Sequence, residues 1–239
     1  MVKRVELDHR GLTEVPAGVL GEPALEYLSL YDNKLAALPE RLWRLVSLRV
    51  LNLAGNRLTE IPPAIRQLSA LHTLDLGHND LGAIPPELGE LPVLSEYLYL
   101  SGNRLAMLPD ELCRLGRLRY LGAADNRLTS LPEDLSGLRS LRELRLYHNQ
   151  IRALPDSIGE LSALRELYLR GNRISALPDS IGRLSALRML DLRENGITEL
   201  PDSLLALPRL DKLDLRWNPG LHLPRWLPDL EARDCVVLL

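Results

Sequence analysis

Nearly the whole chain is one nine-residue phrase repeated at a fixed spacing. The phrase has the form L-x-x-L-x-L-x-x-N and is most regular between Leu164 and Asn172. Copies follow every 23 residues, except for one step of 24 from the stretched copy at Leu94 to the copy at Leu118. With a degenerate first copy at Val2, ten repeats start near 2, 25, 48, 71, 94, 118, 141, 164, 187 and 210. A fixed period of this length is typical of a solenoid.

Each repeat contains the signals of one short strand and one short helical turn. Within the phrase, Leu167 and Leu169 alternate with other residues, which predicts a strand with one buried face. Further on, Pro178 precedes apolar residues at helical spacing, Ile181 and Leu184, which predicts one helical or 3₁₀ turn. A single repeat cannot bury its leucines alone, so we expect the repeats to stack into one continuous core.

The pattern resembles the leucine-rich repeat family, in the 23-residue form common in intracellular proteins, over roughly residues 2–222. The resemblance implies an α/β solenoid shaped as a horseshoe, with a parallel β-sheet on its concave face and short helical or 3₁₀ segments on its convex face. We expect residues 1–222 to form this solenoid. Residues 223–239 break the period and are predicted to cap its last coil, with Trp226 as an anchor and Cys235 as a small core residue.

One asparagine recurs in register at the end of each phrase. A buried amide without partners would cost about 1–3 kcal/mol. The family arrangement, in which each asparagine bonds turn backbone of its own and adjacent coils, removes that cost, so we interpret this asparagine ladder as structural. Its members are Asn33, Asn56, Asn79, Asn103, Asn126, Asn149, Asn172, Asn195 and Asn218.

Composition and charge disfavour several classes of partner. The net charge is −3, so no overall field favours nucleic acid or an anionic membrane. The first residues form no apolar signal core, no apolar run approaches the roughly 20 residues of a membrane span, and only two cysteines occur. We therefore expect a cytoplasmic protein, with export to a host cell by a signal-independent route as an alternative. Arginine far outnumbers lysine, which is typical of GC-rich bacterial genomes.

Four positions depart from the pattern. The extra residue of the fifth repeat lies within 94–97 and should bulge the strand or its entry, leaving the orientation of Tyr97 open. Ala123 replaces a core leucine, so that neighbours must close in or a small void must remain. Arg10 replaces the asparagine of the first repeat, and Trp43 is expected to be half-buried on the convex side.

The outward positions of the phrase are three, five, seven and eight, and they should line the concave face. All seven tyrosines of the chain occupy these positions. Tyrosine suits exposed strand positions in general, but tyrosine, tryptophan and arginine are also the usual anchors of protein interfaces. Beside them runs a floor of small residues, including Gly102 and Gly122, and together these predict a groove. The predicted partner-binding residues are Tyr97, Tyr99, Tyr120, Arg145, Tyr147, His148, Tyr168 and Arg170.

Three arginines recur at position seven and form a column: Arg170, Arg193 and Arg216. Acidic residues, among them Asp191 and Glu194, lie alongside. We favour a solvated face whose charges neutralise one another, and recognition of an acidic partner segment is the alternative.

Catalytic, cofactor-binding and metal-binding residues are not predicted. Asp125 and His148 should be lateral neighbours able to hydrogen bond, but no serine or cysteine nucleophile stands at a matching position. Zinc needs three or four converging ligands, and no phosphate-binding glycine loop occurs.

The leading interpretation is therefore a protein-interaction scaffold that binds a protein partner on its concave face, as a monomer or as a weak dimer through its terminal coils. One alternative is the substrate-recognition domain of a larger enzyme, such as a bacterial effector ubiquitin ligase. Another is an engineered repeat scaffold, which the irregular repeats make less attractive.

Overall fold

The computed structural model describes residues 3–239. Val2, the predicted first position of the first repeat, lies outside the described residues.

One parallel sheet runs through the entire molecule, and its strands lie in the order in which they occur in the chain. Within residues 3–239 the sheet has eleven strands: β1 Lys3–Glu6, β2 Leu25–Ser29, β3 Val50–Asn52, β4 Thr73–Asp75, β5 Tyr97–Tyr99, β6 Tyr120–Gly122, β7 Glu143–Arg145, β8 Glu166–Tyr168, β9 Met189–Asp191, β10 Lys212–Asp214 and β11 Val236–Leu238. The α/β solenoid predicted from the repeat is thereby confirmed.

Stacking of equivalent residues explains this sheet. Each strand pairs with the strand one repeat away, so that Leu144, Leu167 and Leu190 are direct neighbours in the ladder. These leucines are almost or wholly inaccessible to solvent, with at most 2% of their surface exposed. A large side chain buried in this way stabilises the fold by roughly 1.5–3 kcal/mol. The core is thus a column of leucines that only neighbouring repeats can close.

Proline sets the helical turn on the convex side. In each of these turns a proline in the extended region comes first, and its carbonyl accepts the N–H of a buried residue, as between Pro178 and Ile181 at 3.0 Å. Proline suits this place because it has no N–H to leave unpaired. The described residues contain seven such 3₁₀ helices: Glu40–Arg44, Pro63–Gln67, Pro86–Glu90, Asp110–Arg114, Asp156–Glu160, Asp179–Arg183 and Asp202–Ala206. The first repeat has a short α-helix instead, α1 (Ala17–Leu20).

The sixth repeat departs from the expected plan, because residues 131–137 contain no 3₁₀ helix. Side chains take up the backbone groups of this segment. The Asp134 carboxylate accepts the Ser136 N–H at 2.9 Å, the Ser157 hydroxyl donates to the Glu133 carbonyl at 2.6 Å, and it accepts the Leu135 N–H at 3.0 Å. Two of these three bonds come from Ser157 in the next repeat, so the backbone groups of this segment are satisfied without a 3₁₀ helix.

The asparagines bind neighbouring repeats together. Asn172 donates from Nδ2 to the carbonyls of Leu169 in its own repeat and Leu146 in the preceding one, both at 2.9 Å. Its Oδ1 accepts the Ile151 N–H at 3.0 Å. The same arrangement recurs along the ladder, and each of its asparagines is buried. Every amide therefore satisfies backbone groups that the turns leave without partners.

Two residues that depart from the repeat pattern lie in the core. Trp43 exposes only 2% of its surface, so it is a core residue and the expectation of a half-buried side chain was wrong. Ala123 is wholly buried.

The chain continues after the tenth repeat with the helix α2 (Leu227–Glu231) and with β11, which pairs with β10. Leu227, Leu230 and Cys235 are buried. Trp226 is half-buried and its indole N–H donates to the Asp202 carboxylate at 2.6 Å.

Candidate functional site

Three tyrosines form one aromatic cluster on the concave side of β5 and β6. The ring centroids of Tyr99 and Tyr120 are 4.7 Å apart. The ring centroid of Tyr97 lies 5.7 Å from that of Tyr99 and 5.6 Å from that of Tyr120. Tyr97 is 43% exposed, so its side chain points to solvent. We call Tyr97, Tyr99 and Tyr120 the tyrosine cluster.

The extra residue of the fifth repeat lies where β5 begins. In a regular repeat, two successive N–H groups donate to one carbonyl, as Arg165 and Glu166 do to Arg142. After the fifth repeat, the carbonyls of Ser95 and Glu96 each accept a separate N–H, at 3.0 and 3.1 Å. The insertion therefore widens the entry to the strand, while the register of Tyr97 with its neighbouring strands is that of a regular repeat.

The predicted small-residue floor is partly covered. Tyr120 lies low on the concave face, with only 9% of its surface exposed. A Cβ atom at Gly122 would come within 3.0 Å of the Tyr120 hydroxyl, and one at Gly102 would clash with the His78 ring at 2.5 Å. These glycines thus leave space for neighbouring rings. The ring of Tyr120 is mostly buried and packs beneath the other two rings of the tyrosine cluster.

Arg145 lies between two tyrosines. Its guanidinium carbon is 5.5 Å from the Tyr120 ring centre and 5.3 Å from that of Tyr168, within the range of cation–π contacts. Its Nε donates to the Glu143 carboxylate at 2.5 Å. The Tyr168 hydroxyl in turn donates to Glu166 at 2.7 Å. Burial, followed by the hydrogen bond to Glu166, raises the pKa of Tyr168, which keeps this hydroxyl protonated at neutral pH.

The arginine column is neutralised by carboxylates. Arg216 forms two hydrogen bonds to Asp214, at 2.9 and 2.7 Å, and Arg193 forms two to Asp191, at 2.8 and 2.6 Å. Asp191 and Asp214 are only 2% and 1% exposed. Burial opposes ionisation of Asp214, but the hydrogen bonds from Arg216 and the charge of Arg193 outweigh it and lower the pKa of the carboxyl. These arginines therefore stabilise buried carboxylates.

Five of the predicted partner-binding residues line one open pocket of about 240 Å³. His148 belongs to it and is held by Asp125 of the preceding repeat, with Nδ1 and the carboxylate 2.9 Å apart. Arg170 is held by two hydrogen bonds to Glu194, at 2.9 and 3.0 Å. We call this the arginine pocket, and its lining is Arg145, Tyr147, His148, Tyr168, Arg170, Asp191 and Arg193.

Position eight has a backbone property that was not predicted. In every repeat this residue has a positive φ, from 49° at Asp32 to 68° at Gly55 and Gly102. Glycine, aspartate and histidine at eight of the ten copies were the available signal, since these residues adopt this conformation more often than others. Glu194 and Trp217 depart from this preference. Trp217 has a φ of 61° and is 57% exposed, with its ring 5.5 Å from the guanidinium carbons of Arg170 and Arg216. A bulky side chain in this conformation is strained.

A second pocket, of about 480 Å³, was also missed by the sequence analysis. It lies at the strand entries of the first five repeats and includes the widened entry, where the His72 ring and the Ser95 hydroxyl are 3.1 Å apart. Its lining is Arg4, Glu26, Tyr27, Arg49, Val50, His72, Thr73, Ser95 and Glu96.

Among residues 3–239 no group of three or more potential metal ligands converges. The same residues include no helix that is both long and apolar enough to cross a membrane. The thiol of Cys113 lies on the convex side, away from the concave residues, and burial raises its pKa to about 11.

Family profiles match almost the entire chain. The profile described as leucine rich repeat matches residues 2–58, 48–105, 96–151 and 116–174, and the one described as leucine-rich repeat region matches residues 156–232. The chain belongs to the leucine-rich repeat family. The fold of this family is commonly a module for protein–protein interaction.

Solved structures show the same fold. A leucine-rich repeat protein of Leptospira interrogans is 30% identical, with a TM-score of 0.90 over 99% of this chain and 66% of its own. The plant peptide hormone receptor RGFR1, in complex with RGF2, is 33% identical, with a TM-score of 0.80 over 89% of this chain and 36% of its own.

The ectodomain of the Arabidopsis thaliana receptor kinase GASSHO1/SCHENGEN3, in complex with CASPARIAN STRIP INTEGRITY FACTOR 2, is 32% identical. Its TM-score is 0.81 over 93% of this chain and 28% of its own. This chain thus spans just under two thirds of the Leptospira protein and about a third of the two plant receptors. A comparison with curated proteins finds no significant match.

Proposed function

We propose that this protein is an interaction module that binds a protein partner on its concave face, across β5 to β8. The observation that carries the proposal is the continuity of two features: the tyrosine cluster on β5 and β6 adjoins the arginine pocket on β7 and β8 through Arg145. Large aromatic and arginine side chains, held in place by neighbours, are the residues that contribute most to protein interfaces.

One further fact supports the proposal. The plant receptors with the same fold are described in complex with RGF2 and CASPARIAN STRIP INTEGRITY FACTOR 2, so proteins of this fold can bind a partner.

The strained Trp217 extends the proposed surface. Its indole is exposed and lies beside Arg170, which also lines the arginine pocket. Strain of this kind persists where the surrounding structure and function favour it. We therefore add Trp217 to the partner-binding residues predicted from sequence.

Residues 223–239 are proposed to cap the solenoid whose repeats occupy residues 1–222. Support comes from the buried Leu227, Leu230 and Cys235 and from the bond between Trp226 and Asp202. The enzyme-associated and engineered alternatives, the cytoplasmic location and the oligomeric state stay predictions.

Site-specific photocrosslinking tests the function. A benzophenone amino acid replaces Tyr99 or Tyr168 in one set of proteins, and Val46 or Met107, which are exposed outside the concave face, in the control set. In cells that naturally express the protein, the concave positions should yield the same covalent adduct and the controls should not. Adducts from the control positions alone would contradict the proposal.

A further inference from the structure

Arg145 differs from the other arginines of the concave C-terminal half in its hydrogen bonding. Arg170, Arg193 and Arg216 each use Nε and one terminal nitrogen to hold a carboxylate at two points. Arg145 uses only Nε, toward Glu143, and among the described residues neither of its terminal nitrogens has a hydrogen-bond partner. Its side chain is 41% exposed.

The position of Arg145 is nevertheless fixed. The rings of Tyr120 and Tyr168 lie near its guanidinium, and Glu143 holds its Nε. The side chain also lines the arginine pocket, next to Tyr168 and His148. A guanidinium held in this way loses little further side-chain entropy on binding, which favours affinity.

We propose that the two terminal nitrogens of Arg145 bind the carboxylate of an aspartate or glutamate side chain in the protein partner, with the flanking apolar part of that partner lying on the tyrosine cluster. This inference rests on the proposed function and specifies the chemistry of its partner. A planar pair of N–H donors matches a carboxylate at two points. His148 and Arg170, which line the same pocket, add donors nearby.

The surrounding charges favour a carboxylate over a phosphate group. Glu143, Glu166, Glu194 and Asp191 lie around the pocket, and three of them already hold an arginine. These carboxylates would repel a doubly charged phosphate more strongly than a singly charged carboxylate, which the two terminal nitrogens of Arg145 can bind.

A peptide library provides the probe. Random 12-residue peptides displayed on phage, fused through their C-termini, are selected on the immobilised wild-type protein, and the enriched peptides are synthesised with amidated C-termini. We expect one acidic residue at a fixed place beside apolar residues. Replacing it by its amide should lower affinity about 10-fold to 100-fold, the range of a charge-assisted hydrogen-bond pair.

Four variants of the protein complete the test, and the first, Tyr99→Ala, shows which peptides bind the tyrosine cluster. Arg145→Gln should lose the preference for the acidic peptide over its amide form, and Arg145→Lys, which keeps the charge without the fork, should lose most of it. Arg152→Gln is the matched control, because Arg152 is exposed outside the concave face and has no ion pair among the described residues. Circular dichroism shows whether each variant is folded.

Two results would overturn the inference, and they differ in what they say about the proposed function. Peptides that need Tyr99 but bind equally well in acidic and amide forms would exclude the carboxylate and leave the concave binding surface intact. A selection without any peptide whose binding depends on Tyr99 or Arg145 would contradict both.

Discussion

The side-chain oxygen of Asn172 accepts the backbone N–H of Ile151, 21 residues earlier in the chain, at 3.0 Å. The same amide donates to carbonyls of two successive repeats. Each asparagine of the ladder is therefore a bridge between coils, and the stacking of leucines depends on it.

Asn172→Ala should destabilise the protein by about 1–3 kcal/mol, because it leaves the buried N–H of Ile151 without a partner. The carbonyls of Leu146 and Leu169 still accept from Asn149 and Asn195. Urea unfolding followed by circular dichroism measures the change. Asn52→Ala is the control, since Asn52 is half-buried, stands outside the ladder and accepts one bond, from the Ala54 N–H. Equal losses in the two variants would contradict a special role for the ladder.

Asp75→Asn should stabilise the protein at pH 7. Burial raises the pKa of Asp75 above its usual value of 3.8, with a smaller opposing effect of its bond to Gly77. A raised native pKa means that the charged form is disfavoured in the folded state, so this carboxylate lowers stability at neutral pH. Asparagine can keep the bond, as Asn52 shows at the equivalent position.

The gain in stability from Asp75→Asn should shrink as the pH falls through the pKa that Asp75 has in the folded protein. It should vanish below the pKa that Asp75 has in the unfolded chain, because the carboxyl is then protonated in both states. Thermal unfolding of both proteins between pH 3 and pH 8 provides the measurement. A melting temperature of the variant below that of the wild type at pH 7 would show that the buried charge is stabilising.

Cys113 should react slowly with iodoacetamide in the native protein. Burial raises the pKa of its thiol to about 11 from a reference of 9.0, so the reactive thiolate is about 100-fold scarcer at pH 8 than for an ordinary cysteine. Mass spectrometry of native and urea-unfolded samples measures the rate. Because only the thiolate reacts, the native rate should keep rising between pH 9 and pH 11, and a plateau near pH 9 would argue against the raised pKa.

Trp217→Gly should change stability by less than about 1 kcal/mol, since glycine adopts a positive φ freely and removal of the exposed indole exposes little core. Trp226→Gly, by contrast, removes a packed ring and its bond to Asp202 and should be clearly destabilising. Partner binding should weaken in the first variant. A large stability loss for Trp217→Gly would show that the indole has a structural role.

The repeat determined what could be predicted. Leucines and asparagines recur at one spacing, so the strand order, the core and the register follow from any two repeats. The contacts within the binding surface cannot be derived from the repeat. They depend on the way in which the long side chains of different repeats pack against one another. Tyr120 lies low beside Gly122, and Arg145 pairs with Glu143 of its own strand. Neither arrangement can be derived from spacing.

The conformation of Trp217 shows a second limit. The left-handed backbone of position eight could have been inferred from its glycines, aspartates and histidines. A tryptophan at this position would then have been recognised as strained and as a candidate functional residue. The sixth repeat shows a third limit, since its segment without a 3₁₀ helix has backbone groups bonded by Ser157 of the next repeat, which the spacing does not reveal.

The most direct test of concave-face binding is an affinity pull-down from native lysate with three folded proteins. These are the wild type, the concave variant Tyr99→Ala, Arg145→Glu, Tyr168→Ala, and the control variant Val46→Ala, Met107→Ala, Arg114→Glu, whose residues are exposed outside the concave face. We expect a protein that the wild type and the control retain and the concave variant loses. Retention by all three proteins, or loss in the control alone, would contradict concave-face binding.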